Sequence, residues 1–142
     1  MKVYLTSDLA GLELKNYVKD HIQDQFDVID LTEQGAEDFV EAAVKMVEAL
    51  EHGKSEDLGI AFDAYGVGSF IAANKHQGMI VAEVSDERSA YMTRQHNNTK
   101  LINLIEGNES SPLFVLLKQS AGSQHLENPA IFRIFRVFGF LF

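Results

Sequence analysis

Leu58-Gly59-Ile60-Ala61-Phe62-Asp63-Ala64-Tyr65-Gly66-Val67-Gly68-Ser69-Phe70-Ile71-Ala72-Ala73 is the stretch that decides the fold. The uncharged run Leu58 to Phe62 has the length of a strand buried on both faces and is too short for a helix. An acid, two glycines spaced by one residue and a run of small residues follow at once. The spacing therefore predicts a buried strand, a tight turn and a short helix through Ile71, Ala72 and Ala73, ended by Gly78.

Strand-like and helix-like stretches alternate on either side of it. Upstream, Phe39 or Val40, Ala43, Val44, Val47 and Leu50 form a helical stripe that stops near His52-Gly53. Before it come a strand at Phe26, Val28, Ile29 and Leu31, a helix marked by Leu14, Tyr17, Val18 and Ile22, and a first strand at Val3-Tyr4-Leu5. Downstream, Met79-Ile80-Val81-Ala82 reads as a fourth strand and Ser85 as the N-cap of a helix through Tyr91 and Met92. Leu101-Ile102-Asn103-Leu104-Ile105 reads as a fifth strand. Alternation of this kind, without repeats or linkers, predicts one α/β domain over residues 1–102: a three-layer α/β/α, Rossmann-like open parallel sheet of about five strands.

Composition narrows the function. The chain has 142 residues, 46% of them apolar, which suits one core rather than several. Its formal charge of −9 works against nucleic acid and anionic lipid as partners. The absence of Cys excludes disulfides, thiolate metal sites and a Cys nucleophile, and fits a reducing, cytoplasmic setting. No stretch has the roughly 18 apolar residues of a membrane helix, and the first residues lack a secretory leader pattern. No His, Asp or Glu cluster has convincing metal-ligand spacing, and no cofactor fingerprint is present: Gly66-x-Gly68 lacks the third glycine of a dinucleotide loop and the Gly-Lys-Ser/Thr of a P-loop.

In open parallel sheets ligands bind beyond the carboxyl ends of the strands. Three segments carry chemistry. In Thr6-Ser7-Asp8-Leu9-Ala10-Gly11, Asp8 is either an acceptor for sugar hydroxyls or an N-cap of the next helix. In Asp63-Ala64-Tyr65-Gly66-Val67-Gly68-Ser69 the glycines either aim backbone N–H groups at an anion or simply allow close packing. In Arg94-Gln95-His96-Asn97-Asn98 an imidazole able to move protons near neutral pH stands beside amide donors. The same residues also suit a plain helix C-terminus, with Arg and His against the dipole and Asn as cap.

Taken in order, these segments resemble the ribose-5-phosphate isomerase B and galactose-6-phosphate isomerase family. The likeness rests on Ser7-Asp8-x-Ala10-Gly11, on Gly59 followed by Gly66-x-Gly68 running into Ile71-Ala72-Ala73-Asn74-Lys75, and on Arg94 to Asn98; it spans about residues 3–100. It is closest to the LacA-type subunit, through Asp63-Ala64-Tyr65-Gly66-x-Gly68-Ser69-Phe70 and through Ala82 to Asn98. The resemblance implies a cofactor-free aldose–ketose isomerisation of a sugar phosphate through an enediolate. The expected pair is galactose 6-phosphate and tagatose 6-phosphate, in lactose and galactose breakdown. It also implies sites built at a dimer interface. His96 would be the ring-opening acid/base and Asn97 a substrate contact in the site of a LacB-type partner, with Asp8, Tyr65, Gly66, Gly68 and Arg94 as further substrate-binding positions.

The family base is commonly a Cys at the end of the third strand, where this chain has Asp63. A carboxylate with a pKa of about 3.9 is a weak base towards a carbon acid. Its charge also opposes an enediolate: two like charges at ~4 Å repel by roughly 4 kcal/mol at an effective dielectric of ~20. Leu9 and Tyr65 replace the His and Thr of the family pattern. The expectation is a catalytically incomplete subunit whose partner supplies the base. The competing readings are a non-catalytic sugar-phosphate-binding or scaffold module, and a homo-oligomeric ribose-5-phosphate isomerase using Asp63.

The likeness is not followed past about residue 102. Residues 103–142 are expected to be a divergent or frame-altered C-terminal segment, holding both prolines and six of the ten Phe. Arg133 and Arg136 are three apart, where the resemblance implies two arginines four apart in a segment that grips phosphate or packs across the dimer.

Overall fold

The computed structural model describes residues 1–105; the expectations for the C-terminal segment past residue 105, including Arg133 and Arg136, lie outside them. Five strands and four helices alternate: β1 (Lys2–Ser7), α1 (Leu12–Ile22), β2 (Asp27–Asp30), α2 (Phe39–His52), β3 (Leu58–Asp63), α3 (Val67–Asn74), β4 (Val81–Val84), α4 (Glu87–Asn97) and β5 (Leu101–Ile105). All pairings are parallel, in the order β2-β1-β3-β5-β4. The expected open parallel α/β sheet is what the chain forms.

Side-chain alternation along the strands divides the interior into two layers. Val3, Leu5, Leu58, Ile60, Phe62, Ile102 and Leu104 face one way and bury Leu14, Val18 and Ile22 of α1 and Ala90 of α4. Tyr4, Ala61, Val81 and Leu101 face the other and bury Ala43, Met46, Val47 and Leu50 of α2 and Ala73 of α3. Since both faces of β3 are covered, its sequence is apolar throughout rather than alternating. The right-handed crossovers of parallel units leave the loops after β1 and β3 side by side at the carboxyl edge.

Three local expectations are corrected. β4 begins at Val81, two residues later than the apolar run suggests, because Met79 and Ile80 belong to the approach turn and Ile80 is 51% exposed. Helix α3 ends at Asn74, not at Gly78, which lies in the next turn with φ +84°. The N-cap of α4 is Asp86, not Ser85: its carboxylate accepts from Ser89 N–H at 2.9 Å while the Ser89 hydroxyl accepts from Asp86 N–H at 3.3 Å. Two cap-forming residues stand in sequence, and only the second is followed at the third helical position by a side chain able to reciprocate.

Candidate active site

Asp63 closes β3 with its side chain on the α2/α3 face, 4% exposed. One carboxylate oxygen accepts from Tyr65 N–H at 2.9 Å and from Gly66 N–H; the other accepts from Ser69 N–H at 3.1 Å and from the Ser69 hydroxyl at 2.6 Å. The turn needs Gly66, whose φ of +75° is costly for any residue with a Cβ. From the neighbouring strand Asn103, fully buried, donates its amide to the Gly66 carbonyl at 2.8 Å. Gly68 lies where an added Cβ would come within 2.9 Å of the Phe39 ring, so its small size serves the packing of α3 against the start of α2. The Tyr65 side chain points to solvent, 77% exposed.

The loop after β1 is its neighbour. Asp8 accepts from Gly11 N–H at 2.9 Å, and Leu9 stands 67% exposed. Gly11 packs directly on the end of β3: an added Cβ there would lie 2.4 Å from the Phe62 carbonyl oxygen and 2.8 Å from Asp63 N. Those are backbone atoms and cannot swing aside. Gly11→Ala is therefore expected to cost roughly 1–3 kcal/mol, as overpacking does, and to prise the two loops apart. Chemical denaturation with amide shifts of residues 63–69 as the local readout checks it.

Behind this edge lies a buried charged network. Lys15, fully buried on α1, donates to Asp30 at 2.8 Å and to the Thr32 carbonyl; Lys19 reaches the same carboxylate at 3.1 Å. Thr32 in turn accepts Ser7 N–H at 2.8 Å, just before Asp8. Burial pushes the Asp30 carboxyl upwards, but the bonds from Lys15, Lys19 and Thr32 N–H outweigh it and hold it below the usual carboxylate value.

Arg94, His96 and Asn97 lie elsewhere. α4 ends at Asn97, Asn98 caps it in the left-handed conformation (φ 52°), and β5 begins beside Gly59 and finishes beside Asp63. Four strand steps of about 3.3 Å put roughly 13 Å between the start of β5 and the level of Asp63, and the α4 terminus precedes that start. His96 and Asn97 are exposed at the amino edge of the sheet, where Asn97, Asn98, Lys100, Met79, Ile80 and Leu50 line a cavity of about 410 Å³. Arg94 spends its guanidinium on the helix end, donating to Asn98 Oδ1 at 2.8 Å and to the Thr99 carbonyl at 3.1 Å.

The structure thus brings together Asp8, Asp63, Tyr65, Gly66 and Gly68 and sets Arg94, His96 and Asn97 apart from them. Sequence reasoning passed over Asn103 and Lys15. The first is the one polar residue in Leu101-Ile102-Asn103-Leu104-Ile105; the second shares the spacing of Val18 and Ile22 and so falls on the apolar stripe of α1. Among the described residues no group of three or more His, Asp or Glu side chains could hold a metal ion, and no helix is long and apolar enough to cross a membrane.

Comparison with known proteins places this geometry. The model of the Ribose/Galactose Isomerase family matches residues 3–129. The chain belongs to this family. Among its relatives in the family, the galactose-6-phosphate isomerase subunit LacA of Staphylococcus epidermidis is 52% identical over 106 residues, 73% of either chain. The LacA subunit of Enterococcus faecalis is 46% identical over 133 residues, 88% of this chain and 92% of that one. Among solved family structures, ribose 5-phosphate isomerase RpiB of Thermotoga maritima superposes with a TM-score of 0.74 at 26% identity, covering 96% of this chain and 84% of that one. Ribose-5-phosphate isomerase B of Mycoplasma genitalium, with bound ribulose-5-phosphate, gives 0.73 at 26% identity, covering 96% and 82%. The family match runs beyond residue 102, to residue 129.

Proposed function

We propose that the chain is a subunit of a heteromeric galactose-6-phosphate isomerase, interconverting D-galactose 6-phosphate and D-tagatose 6-phosphate in the cytoplasm, and that it works by lending His96 and Asn97 to the site of a LacB-type partner. The observation that carries this reading is the separation just described: the only imidazole of the Arg94–Asn98 segment is exposed at the edge opposite Asp63, out of reach of the chain's own strand-end loops. Met92, one turn before His96 and on the same helical face, is 41% exposed, so apolar surface adjoins the imidazole as it would where another subunit docks.

The chemistry divides accordingly. Opening the sugar ring needs a group that gives a proton to the ring oxygen and takes one from the anomeric hydroxyl, which a neutral-range imidazole can do. Isomerisation then needs a base to carry a proton from C2 to C1 and donors for the enediolate oxygen. Asp63 suits neither task, with both its oxygens already taken by four donors. The base therefore comes from the partner, His96 serves ring opening, and the Asn97 amide holds a substrate oxygen. This counts equally against a homo-oligomeric ribose-5-phosphate isomerase with Asp63 as base.

Purified chain, a LacB-type subunit and their equimolar mixture, each assayed for conversion of galactose 6-phosphate, test the reading. Turnover is expected in the mixture and not with this chain alone; brisk conversion by the solitary chain, or none in the mixture, would contradict it.

A further inference from the structure

We infer that the Asp63 carboxylate is the resident anion of its own loop, and that residues 63–69 of this chain are closed to phosphate and other ligand anions. Three backbone N–H groups, of Tyr65, Gly66 and Ser69, converge at the start of α3, an arrangement that ordinarily offers a seat to an anion. Here the seat is filled from within. The Ser69 hydroxyl adds a fourth donor at 2.6 Å, and Ser69 is itself 1% exposed.

Nothing in the geometry favours release. Each of these bonds is charge-assisted, and withdrawing the carboxylate would strand buried donors. The turn is also pinned from behind by the Asn103 amide on the Gly66 carbonyl. At Gly66 an added Cβ would lie 2.7 Å from the Ile105 side chain, so the turn packs closely against the end of β5. An approaching phosphate finds the donors spent and a like charge behind them. Asp63 is thus a positioning residue for the loop and the start of α3, which explains how the chain keeps a glycine-rich turn at a strand end without using it to bind substrate. This inference stands on the loop's own geometry and does not depend on the donated histidine.

The test is a titration of the full-length chain with inorganic phosphate at constant ionic strength, following the amide resonances of Tyr65, Gly66 and Ser69, in the natural protein, in Asp63→Ala and in Asp63→Asn. In the natural chain the three amides should not move. Asp63→Ala should unfold several degrees lower, because its N–H groups lose their acceptor, and its Gly66 and Ser69 amides should shift with phosphate while the melting temperature recovers in part. Asp63→Asn, which keeps one acceptor oxygen, should melt between the two and guards against failure of the alanine variant to fold. Saturable shifts of these amides in the natural chain would overturn the inference, as would a melting temperature unchanged by both substitutions or amides in a folded Asp63→Ala that ignore phosphate.

Discussion

Lys15→Met is expected to destabilise the chain by about 3 kcal/mol, the lower part of the range for breaking a buried ion pair. Lys15 is fully buried, and the Asp30 side chain it faces is 3% exposed, so the substitution leaves a carboxylate in the interior with half its cationic support. Lys19, 31% exposed, remains bound to the other oxygen and limits the loss. The damage should spread along a definite path: the Thr32 carbonyl loses its donor, Thr32 holds Ser7 N–H, and Asp8 follows directly. Urea denaturation measures the loss. Adding Asp30→Asn to Lys15→Met should recover part of it, since the charge left unpaired is then gone.

The same pair sets an acid limit. The Asp30 carboxyl lies below its ordinary value in the folded chain, with burial opposing and the Lys15, Lys19 and Thr32 bonds prevailing. A depressed folded value means that the stabilisation is complete above the unfolded pKa of about 3.9 and disappears as pH falls through the folded value. Melting temperatures taken from neutral pH downwards should fall below about pH 4 in the natural chain. The fall should be shallower in Lys15→Met, where the strongest of these supports has been removed.

His96→Ala is expected to lower the turnover of the chain assembled with a LacB-type partner by about 10²–10⁴, the usual contribution of a positioned acid/base. The imidazole is exposed at the end of α4 and no hydrogen bond ties it to the rest of the described chain, so folding should be unaffected. If His96 opens the ring, kcat falls far more than KM rises. If the Asn97 amide holds the substrate, Asn97→Ala should show the opposite balance, mainly in KM, since an amide moves no proton. Unchanged kinetics in His96→Ala at full assembly would remove His96 from the reaction.

Periodicity made the fold readable. The apolar spacing of Ala43, Val47 and Leu50, or of Leu14, Val18 and Ile22, follows from one face of a helix meeting a sheet, and strands such as Leu58 to Phe62 are apolar because both faces are covered. What escaped was what depends on a third dimension. Met79 and Ile80 look like strand yet line the approach turn and cavity, because apolar character alone does not say where pairing starts. Asp63 read only as an ill-suited residue at the position of the family base; its four donors identify it as an anchor. Lys15 and Asn103 fall at apolar-stripe positions with nothing in the sequence to name their partners, Asp30 on β2 and the Gly66 carbonyl of the turn before α3, which lie 15 and 37 residues away. The Arg94–Asn98 segment was legible as a helix end, with Arg94 and Asn98 spent on closing it. That His96 and Asn97 stand at the far edge from Asp63 follows from strand register.

The most direct test of the central claim is a structure of the chain assembled with a LacB-type subunit and bound to a sugar phosphate, in which the distance from the His96 ring to the substrate is measured. The account predicts that an imidazole nitrogen lies within about 2.6–3.2 Å of a ring or anomeric oxygen of a sugar seated in the partner's pocket, or one water away from it. A His96 ring directed into solvent, or a sugar seated instead against Asp63 and Gly66 of this chain, would contradict it.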